Sequence, residues 1–399
     1  MMIRQAIAQQ WATITRDRWL LASLTWIPIA LAWCIWSIFS QGIARDLPIG
    51  VVNLDKSALS YTLERYYDAT STMQVTRRFQ SPSEAKAALV QGEIYAYAVI
   101  PSRFEQDAMK QLTPQVSVFY NSQAILIGKL MNAAFVQAHG TFNAQLATFA
   151  GLTDGNTTLL SAMGNAVPVS TQVTPLFNKN SNYAQFLVSA IIPALWQIVI
   201  VVSTLLVLAA NQRDHGLVRW LAPSPGVALC RTLLPYFPLF WLQGVAFLVW
   251  FYSGLQWPMQ GSLWVLFAAQ VPTILACMAM GSVFFFLTLD PARAMSFAGA
   301  FTAPSFAFMG ITFPVSDMSP LAQAWRSLLP ISHYIEAQVS QVSYGASALT
   351  TLMHLTPLLG YLLPALLCLL LARKHLNSAI KAANDTKRHS SPSLKEHQS

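Results

Sequence analysis

YAQFLVSAIIPALWQIVIVVSTLLVLAANQRDHGLVRWLAPSPG occupies residues 183–226. Its first part, Tyr183–Ala210, contains no Asp, Glu, Lys or Arg. It exceeds the ~20 apolar residues that carry a helix across a bilayer. The second part, 211–226, packs two arginines, an aspartate, a histidine and a tryptophan ahead of two prolines. A polar knot at the end of a lipid-length apolar run is the junction of a membrane span with a water-facing loop.

Working outward, the rest of the chain repeats the first half of that pattern. Apolar residues make up 54% and charged residues 10% of the protein, against about a quarter charged in soluble domains. Besides 183–210, five stretches are long and uncharged enough to span: 19–40, 232–253, 262–289, 294–313 and 353–372. The expected architecture is an α-helical polytopic membrane protein with six transmembrane helices. The first run follows Arg4, Arg16 and Arg18 and lacks a small-residue cleavage site, so it reads as an uncleaved anchor.

Loop charge orients the bundle. With both termini inside, the cytoplasmic parts hold 13 Lys/Arg and 5 Asp/Glu, a surplus equal to the whole chain's +8. Residues 42–182 carry 10 basic and 9 acidic groups, and 314–352 carry one and two. This is the positive-inside pattern of a multi-pass membrane protein, and it removes the reason to read the basic balance as nucleic-acid binding. Trp250, Tyr252, Trp257 and Trp264 cluster at the outer ends of spans three and four, as an aromatic belt does. Residues 1–18 place Ile3, Ile7, Trp11 and Ile14 at helical spacing, with Arg4, Gln5, Gln9 and Gln10 elsewhere, an interfacial amphipathic helix. The tail, 374–399, is polar and basic without apolar periodicity, which predicts cytoplasmic disorder.

Between spans one and two, residues 42–182 alternate strand and helix patterns. Strands are expected over 48–54, 73–79, 94–100 and 115–120, and helices over 57–67, 81–91, 103–110 and 122–149. The alternation predicts an extracytoplasmic α/β domain. Ser81 with Glu84 three residues on forms a capping-box pattern.

Several chemistries are missing from the sequence. Cys34, Cys230, Cys277 and Cys368 are isolated, and the histidines show no metal-binding spacing. Gly128-Lys129 resembles a phosphate loop only superficially, since Leu130 replaces the Ser/Thr and Gln123 stands where the first glycine belongs. The six spans contain no Asp, Glu, Lys or Arg, the charges that ion-coupled transport usually places in a bundle. If the protein moves a substrate, its energy is expected from another subunit. Asn156-Thr157-Thr158 is a formal glycosylation sequon.

Five segments together resemble the permease subunits of ABC-2 type transporters over nearly the whole chain. They are Arg16-Asp17-Arg18 before span one, IGVVNLDKSALS (49–60), SPSEAKAALVQGEIYAYAVIPSRFEQDA (81–108), LFNKNSNYAQFLVSAIIP (176–193) and GITFPVSDMSPLAQAWRSLLPISHYIEAQVSQVSYGAS (310–347). The resemblance implies outer-leaflet re-entrant helices over 314–352. It also implies that Arg213, Asp214, His215, Gly216, Leu217, Arg219, Trp220, Leu221 and Pro223, in the loop 211–231, form the helix that couples to an ATPase. Trp220 and Leu221 are its expected apolar anchors in the partner's cleft. Leu217 departs from the family's usual Thr, and Asn211-Gln212 stand where acidic residues are common.

Phe306, Phe308 and Phe313 are candidates for a translocation path, with lipid contact as the alternative. Trp19, Trp26 and Trp33 recur every seven residues in span one, which suits packing and interface anchoring, or a lateral gate. Pro193, Pro235, Pro238, Pro272 and Pro304 mark hinges or static kinks. The function expected is ATP-driven export of an amphiphilic drug or lipid-like molecule from the cytoplasm or inner leaflet. The chain itself is not the enzyme. ATP and Mg are expected on a separate cytoplasmic ABC ATPase, with a homodimeric or paired permease and a periplasmic adaptor as further partners. Two other classes fit less well: a secondary transporter driven by an ion gradient, and a membrane-anchored extracytoplasmic binding or assembly protein.

Overall fold

A computed structural model of the chain describes residues 2–110, 112–123, 125–153 and 182–389. The sequon at 156–158, the start of the 176–193 motif and the tail from 390 lie outside the described residues. The chain divides into two units, residues 43–174 and residues 1–42 with 175–399.

The second of these begins with α1 (Met2–Arg16), α2 (Arg18–Leu24) and α3 (Trp26–Phe39). In α1, Gln10, Thr13 and Ile14 are buried while Ile7 and Trp11 are exposed. The first apolar run is therefore not one straight helix: α2 and α3 meet at Thr25 with a bend of 47°. Asp17 caps α2 by accepting from the backbone N–H groups of Trp19 and Leu20, both at 3.1 Å.

Residues 43–174 fold around a four-stranded sheet. Its elements are β1 (Leu47–Asn53), α4 (Ala58–Asp68), β2 (Met73–Phe79), α5 (Pro82–Val90), β3 (Ala96–Ile100), α6 (Phe104–Met109), β4 (Ser117–Tyr120) and α7 (Ile125–Thr153). The strand order is β2-β1-β3-β4, with β1 parallel to both neighbours and β4 antiparallel to β3. Ile49, Val51 and Val52 in the central strand are fully buried, as continuous apolar strands covered on both faces should be. The turn after β1 is held by side chains. Asn53 Oδ1 accepts from the N–H groups of Asp55 (3.2 Å) and Lys56 (2.9 Å), and Ser57 caps α4 by accepting from Ser60 N. Ser81 caps α5 through Glu84 N, and the Glu84 carboxylate reaches back to Gln80 N at 3.1 Å.

The membrane unit resumes with α8 (Tyr183–His215), α9 (Leu217–Leu221), α10 (Pro225–Leu233), α11 (Phe237–Val249), α12 (Leu263–Thr288), α13 (Pro291–Thr302), α14 (Ser305–Phe308), α15 (Pro320–Ser327), α16 (Pro330–Val342), α17 (Ala348–Met353) and α18 (Leu362–His389). Among the described residues four segments are long and apolar enough to cross a membrane: Tyr183–His215, Pro225–Gly254, Leu263–Thr288 and Ala348–Asp385. The bent α2–α3 pair makes a fifth if it is one span.

Two expectations fail here. The stretch 294–313 is not a continuous helix: α13 ends at Thr302, one residue before the Ala303-Pro304 step, and Gly310 takes φ +87°. Proline cannot donate the helical hydrogen bond and its ring obstructs the preceding turn, so the helix ends there. The polar tail predicts disorder from 374, but α18 continues to His389. Residues 374–389 read KHLNSAIKAANDTKRH, with Ala and Lys among the strong helix formers, and they extend an already nucleated helix.

Within α8, Pro193 cannot bond the carbonyl of Ser189. The Gln338 amide on α16 donates to that oxygen at 2.8 Å, so a neighbouring helix satisfies the freed acceptor. Gly281 on α12 lets the backbone of α8 approach: a Cβ there would lie 2.7 Å from the Val201 carbonyl oxygen.

Candidate functional site

The polar stretch begins in the last turns of α8 and is built into the bundle from its first residue, Asn211. Asn211 is buried and exchanges amide hydrogen bonds with Gln10, at 3.0 and 3.1 Å, while also donating to the Val207 carbonyl at 2.8 Å. The Tyr236 hydroxyl donates to Gln10 Oε1 at 3.2 Å. Gln9 meets the His215 ring at 2.9 Å. The position where acidic residues are common in the resembling family is thus used here to fasten α1 to α8 through neutral amides.

Arg213 bridges two acids. Its Nη1 lies 3.3 Å from the Asp17 carboxylate that caps α2, and its Nε donates to Asp214 at 3.1 Å. The guanidinium is exposed, so each pair contributes at most about 1 kcal/mol; the geometry mainly ties the loop to the start of span one.

Gly216 then breaks the helix with φ +71° and ψ 151°. A Cβ on it would meet nothing within 4 Å. Its requirement is therefore the positive-φ backbone rather than a close approach.

In α9 the two faces differ sharply. Trp220 and Leu221 are buried in this chain's own core, at 8% and 0% exposure. The Trp220 ring stacks on Phe286 at 6.1 Å and lies edge-on to Phe285, and its Nε1 donates to Thr232 Oγ1 at 2.9 Å. The expectation that Trp220 and Leu221 anchor a partner's cleft is corrected accordingly: a single turn of helix laid on α18 needs its bulkiest side chains inward to seal the bundle. The outward face is Val218 and Arg219, with Leu217 half-buried, and the chain then passes exposed Ala222 and Pro223 into α10. Arg219 makes no ion pair among the described residues.

A cavity of about 480 Å³ opens beside this face. Gln9, His215, Arg219, Pro223, Val227 and Arg231 border it, and none of its lining residues among those described is acidic. It suits an anionic or hydrogen-bond-accepting group.

The other sequence-predicted residues are dispersed. Phe306 and Phe308 are half-buried against the cluster that holds Met309, Tyr334 and Ile335, whereas Phe313 is 49% exposed and outside it. Trp19, Trp26 and Trp33 are all largely exposed. Gly128 and Lys129 lie inside α7, not in a loop between strand and helix. Among the described residues no group of three His, Cys, Asp or Glu could hold a metal ion.

Sequence reasoning missed a polar network inside the bundle. Gln197, fully buried on α8, donates to Ser305 Oγ and accepts from Ile331 N, both at 2.9 Å. Gln341 accepts from Ser262 N and donates to Thr351 and to the Ala346 carbonyl. Arg326, 8% exposed, pairs with Glu336 at 2.5 Å. Gln197, a glutamine set within an uncharged apolar run, is the one signal that could have found part of it.

A family model described as ABC-2 family transporter protein matches residues 18–373. The chain belongs to the ABC-2 transporter family. Within this ABC-2 chain, the match takes in the loop 211–231 and both units, and begins two residues after the end of α1. Membership makes the protein a multi-pass membrane component of a transporter. No curated protein and no solved structure matches it.

Proposed function

We propose that this ABC-2 permease exports an amphiphilic drug or lipid-like molecule from the cytoplasm or inner leaflet of a bacterial inner membrane, driven by a separate ABC ATPase. The ATPase carries the ATP and Mg and docks on residues 211–231. A second permease, identical or related, completes the path, and a periplasmic adaptor contacts the domain between spans one and two. The observation that carries the reading is the family match across 18–373, which includes this loop.

The geometry of the loop supports a docking role. Arg213, itself braced by Asp214, and His215 hold it to α2 and α1, Gly216 turns it, and Trp220, Leu221 and buried Pro225 lock α9 and α10 to the bundle. A load applied at Val218, Arg219 or Pro223 is thereby transmitted to the spans. Phe306, Phe308 and Phe313 stay as path candidates.

Charge supports six crossings with both termini inside. Arg16 and Arg18 before the first span and Arg373 and Lys374 after the last belong on the same side, which needs an even number of passes. Five long apolar segments leave α13–α14 as the sixth, in broken form. The 12 residues of α13 cover about 18 Å, short of the ~30 Å core, and the following irregular chain is tolerable only where protein shields it.

The test is reconstitution in inside-out vesicles with the cognate ATPase. ATP-dependent uptake of an amphiphilic dye is expected, absent without the ATPase and insensitive to uncouplers. Uptake that persists without ATP and collapses with an uncoupler would replace this reading with the ion-driven one.

A further inference from the structure

Residues 43–174 contain a cavity of about 540 Å³, within the ~300–1,000 Å³ of small-molecule sites. The origin of the space is visible in the elements. The first turns of α7 bury Met131, Phe135 and Ala138 against the core shared with α4, and Phe142 is the last buried side chain of that helix among the described residues. Beyond it α7 continues past the core, facing the extended stretch that links α6 to β4. The facing walls there carry Ala108, Ala147 and Ala150, where larger side chains would close the gap.

The chemistry of the walls is graded. At the floor, Phe104 and Phe142 are each 4% exposed and stack at 6.1 Å, flanked by Leu63 and Leu146. At the mouth, the exposed Thr113 and Asn143 side chains have no hydrogen-bond partner among the described residues. His139 is engaged with the Tyr67 hydroxyl, and burial holds its pKa below the ordinary value, so the ring is neutral at neutral pH. Among the described residues no Asp, Glu, Lys or Arg lines the cavity, although residues 42–182 carry 10 basic and 9 acidic groups.

We infer that this cavity binds an uncharged amphiphile, its apolar end on Phe104 and Phe142 and a hydroxyl or carbonyl at Asn143 and Thr113. Burying apolar surface on the aromatic floor supplies the affinity, and the absence of any counter-charge makes an ionic headgroup unfavourable there. The inference does not rest on the coupling reading: a chain that never docks an ATPase keeps this cavity.

The experiment is photolabelling of the full chain in lipid nanodiscs with a medium-chain alkanol carrying a diazirine, followed by peptide mapping. Saturable labelling of peptides within 104–116 and 139–150 is expected, competed by the unlabelled alkanol and not by an alkyl sulfate of equal length. Ala147→Trp fills the space from an exposed position and should reduce that labelling at least tenfold. Asn143→Asp places a carboxylate at the mouth and should do the same. Labelling of the long apolar helices should be unchanged in both variants, which reports intact folding. Labelling confined to those helices, or equal labelling of the cavity peptides in the wild type and Ala147→Trp, overturns the inference.

Discussion

The most apolar 18-residue stretches of the helix Tyr183–His215 and of the closing run Ala348–Asp385 are similar in mean hydropathy, 2.5 and 2.1, yet 72% of the first stretch is buried within the chain and 22% of the second. What separates them is the kind of apolar residue. The first carries Ala184, Ala190, Ala194, Gln197, Ser203 and Thr204 on its buried surface. The second reads LLPALLCLLL at 362–371 and leaves Leu362, Leu363, Leu366 and Leu370 more than half exposed. Lipid tails are as apolar as leucine, so helices associate in a membrane through small residues that allow close packing and through polar groups that bond across the contact. Average hydropathy identifies a span; its small and polar residues identify a span at the centre.

The most damaging change should fall where α8 and α12 approach. Gly281→Leu forces a side chain against the Val201 carbonyl, and its Cβ would also stand 3.1 Å from the Thr204 Cβ. The chain is expected not to accumulate as a monodisperse species in detergent; wild-type elution would mean the two helices can separate freely.

Next comes Trp220→Ala, which removes the stacking on Phe286 and the bond to Thr232. A loss of about 3–5 kcal/mol is expected, read as an earlier midpoint in denaturant. Arg219→Ala on the outward face should stay within about 0.5 kcal/mol. The two residues are adjacent, so equal effects would contradict the inward and outward assignment of α9.

That assignment marks the limit of what the sequence could express. The loop's location, the sheet elements and the α8 and α12 spans were legible because polarity changes abruptly at 211 and periodicity switches within 43–153. The direction of Trp220 was not, since α9 is five residues long and one turn carries no amphipathic period. The break in 294–313 depended on a single proline, a residue that α8 and α12 accommodate in mid-helix at Pro193 and Pro272. The bend at Thr25 has a local signal in Pro28, which cannot donate to the Leu24 carbonyl and crowds the preceding turn, but like the proline at 304 it does not by itself tell a break from a tolerated position. The buried amides of Gln10, Asn211 and Gln197 pair across more than a hundred residues, a distance no local pattern reports.

A smaller effect is expected from Gln197→Leu. It leaves Ile331 N–H and the Ser305 hydroxyl without their partner inside the bundle, at a cost of about 1–3 kcal/mol. Smallest is Leu363→Ala on the closing helix, within about 0.5 kcal/mol in nanodiscs. A loss of about 2 kcal/mol or more would sharpen the comparison in another direction, because an effect beyond the ordinary surface range would place a second copy of the chain, rather than lipid, on that leucine face.

The proposal that 211–231 receives the ATPase is tested most directly by crosslinking. In a chain whose exposed Cys34 and Cys230 are replaced by serine, single cysteines are placed at Val218, Arg219, Val227 and, as a control, Leu363, and the chain is co-expressed with its cognate ATPase. A short bifunctional thiol reagent should join the first three positions to the ATPase and leave Leu363 unlinked. Crosslinks from Leu363 alone, or none from 218, 219 and 227 while ATP-driven export proceeds, would contradict the account.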